Sequence, residues 1–98
     1  MYVKVTEREG KRVVAACDRE LIGRVLEEGG MVLDLKAYSS FYVGKLSDAP
    51  GLEAELGKFD SANLVGGRAV GVALDMGIVQ KNGVKYIKRV PHLQLYKL

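Results

Sequence analysis

Cysteine and histidine each occur only once in the chain, and no apolar run approaches the ~20 residues needed to span a bilayer. A lone cysteine, Cys17, excludes an intramolecular disulfide and a multi-cysteine zinc site. Neither a GxGxxG fingerprint nor a Walker phosphate loop is present. The carboxylates offer no pair at a spacing suited to acid–base work or metal binding. The opening MYVKVTEREG reads as a strand and lacks the apolar core of a signal peptide. Internal repeats, low-complexity tracts and linkers are missing as well. These absences argue against a membrane partner and against a cofactor, make an enzyme the less favoured reading, and leave the cytoplasm as the expected location.

What is present suits one small domain over residues 1–98. Nearly half of the 98 residues are hydrophobic and 28% are charged, the balance of a globular chain. The net charge of +3 hides an asymmetry. Residues 1–80 carry ten basic and twelve acidic side chains, whereas residues 81–98 carry Lys81, Lys85, Lys88, Arg89 and Lys97 with no acid. Such a basic end fits a polyanion such as nucleic acid, or a solvated edge hairpin guarded by lysines.

The stretch Asp60–Ile78 organises the chain. At 100° per residue Ala62, Val65, Gly66, Ala69, Val72, Ala73 and Met76 share a face, which predicts one long, largely buried helix capped by Asp60 or Ser61. Gly77 and Ile78 form its stop signal. Three internal glycines would cost that helix about 1 kcal/mol each against alanine. Close packing would offset the loss; a phosphate held near the helix start is the other reading.

Around this helix the pattern gives strands over Tyr2–Glu7 and Arg12–Cys17 joined by a turn at Glu9–Lys11. A short helix opened by Asp18 then runs to about Glu28, and a strand covers Met31–Leu35. An irregular aromatic section at 37–50 follows, then a short helix at Gly51–Gly57 with Pro50 at its start. After the main helix, Ile78–Gln80 and Val84–Val90 flank the Asn82-Gly83 hairpin signal. Pro91 breaks the chain before a last strand, His92–Leu98. The order ββαβ–loop–ααβββ implies an α+β fold, its mixed or mostly antiparallel sheet carrying helices on one face.

Two sets of residues could carry chemistry. Cys17 ends a strand before a helix start, where its thiol pKa could fall, and His92 would have to serve as its base. The plainer role for Cys17 is a buried strand end. For nucleic acid, Tyr86 lies among Lys85, Lys88 and Arg89, while Phe41 and Tyr42 accompany Tyr38 and Lys45; together they make a loose aromatic and basic platform. The ribonucleoprotein-domain signatures are missing. Alternation cannot give the Tyr86 strand a clean core face, which places it at an edge or exposed.

Three segments together resemble the archaeal domain-of-unknown-function family 424: MYVKVTEREGKRVVAACDRELIG with its EGG, ANLVGGRAVGVALDMGIV, and VPHLQLYKL, with SSFYVGKL between them. The similarity covers essentially the whole chain. It implies a small cytoplasmic protein that binds RNA and is linked to translation, without catalytic residues. It points to Phe41, Tyr42, Asn63, Arg68, Pro91 and His92 as residues of interest. The expectation is therefore a non-enzymatic RNA-binding or ribosome-associated protein contacting ribosomal or transfer RNA through Lys81, Lys85, Tyr86, Lys88, Arg89, His92, Arg68, Phe41 and Tyr42. The alternative is an interaction module, homomeric or heteromeric, that uses the small-residue helix or an edge strand.

Overall fold

In a computed structural model that describes residues 1–97, the first two strands form the expected hairpin. β1 (Tyr2–Arg8) pairs antiparallel with β2 (Lys11–Cys17), and Glu9 and Gly10 both take positive φ in the turn. A six-stranded mixed sheet grows from this pair in the order β5-β1-β2-β6-β8-β7. Its members are β5 (Lys45–Leu46), β6 (Ser61–Val65), β7 (Lys85–Ile87) and β8 (Val90–Tyr96). Only β2 and β6 run parallel. A separate hairpin joins β3 (Val25–Glu28) to β4 (Met31–Asp34). The helices are α1 (Ser39–Tyr42), α2 (Ala49–Leu56) and α3 (Gly67–Asp75). The α+β class and the mixed sheet are as expected.

The central stretch is corrected. Residues 61–65 form a strand rather than the first turns of a helix, and α3 begins only at Gly67. Periodicity misleads here because a short buried strand followed by a buried helix leaves an apolar pattern that fits either period. Gly66 breaks the two apart with φ of 104°, outside the helical range. The expected caps also change. Asp60 accepts the Arg12 N–H at 2.6 Å and so pins β2 to the start of β6. The stop signal holds: Gly77 N–H donates to the Leu74 carbonyl and Ile78 N–H to the Ala73 carbonyl, with Gly77 at φ 72°.

The helix expected over residues 18–28 is a single 3-10 turn at Arg19–Leu21 followed by β3. Gly23 at φ 91° ends the turn, and Gly29-Gly30, both at positive φ, turn the β3–β4 hairpin instead of stopping a helix. Near the C-terminus, Lys81–Gly83 is a 3-10 turn, and 78–80 is not a strand. The hairpin turn falls at Lys88-Arg89, whose φ values of 51° and 66° have the sign a two-residue turn requires. Pro91 lies within β8 rather than before it. Its carbonyl accepts the Gly66 N–H just past the end of β6, so the missing proline N–H interrupts no ladder bond. Leu98, placed in the closing strand by the sequence, lies outside the described residues.

Alternation along the strands builds two cores. Val3, Val14, Ala16, Ala62, Leu64 and Leu93 face α2 and α3, where Leu52, Leu56, Ala69, Val70 and Ala73 close the larger one. The opposite parity gives Ala15, Cys17 and Val65, which pack with Leu21, Leu35 and Tyr42 from the segments crossing the other face. Fully burying one leucine such as Leu52 or Leu64 contributes roughly 1.5–3 kcal/mol.

Candidate nucleic-acid interface

Strand register arranges the second face in rows. The first is Tyr2, Cys17, Val65, His92 and Lys85; the next is Lys4, Ala15, Asn63 and Gln94. A third holds Thr6, Val13, Ser61 and Tyr96, and the last holds Arg8 and Lys11. The β3–β4 hairpin and α1 cover the Cys17 and Val65 end. Beyond it the face is open, and Thr6, Arg8, Lys11, Gln94 and Tyr96 are exposed. Four cations, Lys4, Arg8, Lys11 and Lys85, stand in these rows with no carboxylate among them.

Aromatic side chains rim the opening. Tyr96 is 70% exposed, Tyr38 65% and Phe41 37%. A cleft of about 360 Å³ runs between β4 and the sheet, lined by Val32, Tyr38, Phe41, Asn63 and Gln94 among others. It adjoins a second cleft along Lys85, His92, Gln94 and Tyr96, and a third touches Thr6, Arg8, Val13, Phe41 and Ser61. Asp34 sits on the rim, but its Oδ1 already accepts the N–H groups of Lys36 and Ala37 at 3.1 and 2.8 Å.

The structure divides the residues singled out from the sequence. Lys85, His92 and Phe41 border the open face. Tyr42 is buried, edge-on to Phe41 at 5.1 Å between centroids, and burial first, then the neighbouring Cys17, pushes its phenol up to about 12. It shapes the cleft wall and offers no free ring to stack on. Tyr86 is 58% exposed but pairs with Pro91, so it projects from the reverse side of β7, the sheet's edge strand. Lys88 and Arg89 form the turn beside it, where Glu28 accepts the Lys88 N–H at 3.1 Å. The basic end thus meets an acid in space that it lacks in sequence. Lys81 is exposed in the preceding turn. Arg68 lies on the helical side of the sheet, in a cleft it shares with Asp48 and Asp75.

The start of α3 is occupied by the protein itself. Asp18, 4% exposed, accepts the Arg68 N–H on Oδ2 at 3.0 Å and the Ala69 N–H on Oδ1 at 2.9 Å. A phosphate at this terminus would have to displace that carboxylate. Gly66 is tight for the same reason, since a Cβ there would overlap the Asp18 carboxyl group. Gly67 and Gly71 instead face open space.

Cys17 and His92 do not meet. β6 lies between their strands, which separates them by two strand spacings, roughly 10 Å. Cys17 is fully buried, and its thiol is pushed up to about 12, first by burial and then by Asp18 and Glu20. His92 is held below its ordinary value by burial and by the Lys85 cation, and its enclosed Nε2 has no hydrogen-bond partner among the described residues. Among the described residues no cluster of three or more His, Cys, Asp or Glu could hold a metal ion, and no helix is long and apolar enough to cross a membrane.

Gln94, Tyr96 and Arg8 belong to this face although the sequence does not single them out. The signal for them is alternation: Leu93 and Leu95 point to the helices, which leaves Gln94 and Tyr96 for the other side.

Sheet, helices and half-open face define a small α+β protein with one sheet surface packed under α2 and α3 and the other half open. The chain belongs to the family described as protein of unknown function DUF424, whose model matches residues 5–98. It is similar in fold to a crystal structure of an uncharacterized conserved protein from Methanopyrus kandleri, with a TM-score of 0.79 and 24% identity. That likeness covers 97% of this chain and 89% of the other. No curated protein matches the chain.

Proposed function

We propose that the chain is a non-enzymatic RNA-binding protein that holds single-stranded RNA on the open sheet face, with ribosomal or transfer RNA in the setting of translation as its target. The observation that carries this reading is a surface whose strand rows hold four cations (Lys4 of them donating to the Ser40 carbonyl) and no carboxylate, with three exposed aromatic rings beside Asp34 at its rim. Cations attract the backbone by releasing its counterions, and aromatic faces stack on bases whatever their identity. The C-terminal hairpin extends the site through Lys85, while Lys88 and Arg89 form its turn beside Glu28.

Fluorescence anisotropy with a labelled single-stranded RNA over a salt series tests this. The triple variant Arg8→Ala, Lys11→Ala, Lys85→Ala is expected to bind more weakly and to lower the log–log salt slope by about 0.7 for each phosphate it no longer neutralises. Native affinity and slope in that variant would remove the sheet face from the site. Absence of binding in the native protein would overturn the function.

A second reading has its own observation. β5 pairs only with Tyr2 and Val3, so among the described residues the outer edge of β1 from Lys4 to Arg8 has no strand neighbour. Such an edge can add a strand from a second chain. A pull-down from native lysate in which a protein partner survives nuclease would favour it.

A further inference from the structure

We infer that the cleft beside Asn63 and Gln94 is a base-reading pocket that takes one unpaired adenine. The inference rests on the RNA reading above and adds a specificity to it. Asn63 and Gln94 are directly paired across β6 and β8, and both line the same cleft of about 360 Å³. That volume is in the range of small-molecule sites, about 300–1,000 Å³. Neither amide is engaged by another side chain or by the backbone among the described residues. Two carboxamides are left side by side in a cleft whose other walls are apolar and aromatic except for Asp34 at the rim, whose Oδ1 is already held by the Lys36 and Ala37 N–H groups.

The chemistry of the amides selects the base. A carboxamide offers an acceptor next to a donor, and so pairs in two-bond fashion with an edge that offers a donor next to an acceptor. Adenine presents that combination on both sides of its exocyclic amine, N6–H with N1 and N6–H with N7. Paired side chains on neighbouring strands stand about 4.5–5.5 Å apart, a spacing that lets the two amides straddle one amine. Guanine places two acceptors, O6 and N7, on its Hoogsteen edge, and a pyrimidine has one polar edge to share between two amides. The walls supply the rest: Phe41 and Tyr38 offer faces for the ring, while Arg8 and Lys85 flank the neighbouring clefts where the adjoining phosphates would run.

Labelled oligoadenylate and oligouridylate of equal length, measured by anisotropy, provide the test. The native protein is expected to bind oligoadenylate about tenfold more tightly, the discrimination one bidentate contact supplies. Gln94→Leu and Asn63→Leu should each bring oligoadenylate down towards oligouridylate and leave the latter unchanged. Gln94 is exposed, so its variant reports on recognition rather than folding. A preference that survives both substitutions, or equal binding of the two oligomers by the native protein, overturns the pocket while the RNA reading stands. Titration with adenosine monophosphate, followed on the side-chain amide resonances of Asn63 and Gln94, separates the remaining cases. Shifts there without binding of either oligomer support the pocket and overturn the RNA reading. No shifts and no oligomer binding overturn both.

Discussion

Strands β2, β6 and β8 turn alanine, valine and leucine toward α2 and α3 on one side of the sheet, and serine, asparagine, glutamine and tyrosine toward solvent over half of the other. The same backbone thus carries a packed surface and a half-open one, and neighbouring residues in one strand belong to different problems. On the helical side the apolar positions of the central strands are matched by Leu52, Leu56, Val70 and Ala73. The clefts that remain there lie at the margins, one of about 500 Å³ beside Val3, Val5, Gly51 and Glu55 and one of about 480 Å³ beside Gly67 and Arg68. On the other side the β3–β4 hairpin and α1 close only the Cys17 and Val65 end. An exposed aromatic and polar surface left beside a completed core is where a binding role is to be sought.

The sharpest way to break that comparison is within β6. Leu64→Ala should cost about 2–5 kcal/mol, because a fully buried leucine leaves a cavity that its neighbours cannot fill. Asn63→Ala, one residue away, half-buried on the open face and with no side-chain hydrogen-bond partner among the described residues, should cost no more than about 1 kcal/mol. Chemical denaturation of the two variants measures the contrast. Equal losses would mean that the open face is structural too.

Next in size is the junction between the two sides. Asp18→Ala removes a buried carboxylate and frees two α3 N–H groups, at about 1.5–3 kcal/mol for a charged hydrogen bond. Gly66→Ala should be at least as damaging, since it meets the Asp18 carboxyl group at φ of 104°. Combining Gly66→Ala with Asp18→Ala is expected to cost less than the sum, because the overlap disappears with the carboxylate. Strict additivity in the denaturation midpoints would sink that account.

Legibility follows the same division. The β1–β2 hairpin, α2 and the end of α3 are written locally, in Glu9-Gly10, in the Asp48 cap with Pro50 behind it, and in Gly77-Ile78. The start of α3 is not, because its cap is Asp18, fifty residues away in sequence and opposite it only once β2 and β6 lie parallel. For the site, Lys85, His92, Phe41 and Asn63 can be named from the chain. Their grouping with Arg8, Gln94 and Tyr96 needs the register of four strands, and reading 61–65 as helix removes the strand that joins them. The basic C-terminal hairpin is visible as charge, but its acidic neighbour Glu28 is not.

On the open face a third effect should touch binding alone. Tyr96, 70% exposed, contributes little to folding, so Tyr96→Ala should leave the denaturation midpoint nearly unchanged. If a base stacks on its ring, RNA affinity should fall by about 1–3 kcal/mol while the salt slope stays constant. A changed slope with unchanged stacking energy would assign Tyr96 to placing the cations instead.

The last contrast shows no pH dependence near neutrality, emerges only at alkaline pH, and concerns the covered end of the same face. Burial pushes the Cys17 thiol from 9.0 up to about 12 and the Tyr42 phenol from 10.0 up to about 12. Below about pH 9 both groups are protonated whether the chain is folded or not, and their contribution is fully present. As the pH rises past 9 the unfolded chain releases its thiol proton, and past 10 its phenol proton, while the folded chain keeps both until about 12. The unfolded state then binds fewer protons, and stability declines across that window. Denaturant midpoints taken from pH 7 to 11 should be flat at first and fall from about pH 9. Cys17→Ala should delay the decline to about pH 10, where Tyr42 takes over, and Tyr42→Phe should remove the later part. In the native protein at neutral pH a thiol reagent should label Cys17 only as fast as the chain opens. Rapid labelling, or a decline that begins at the same pH in the Cys17→Ala variant, would show that this end of the face is open to solvent like the other.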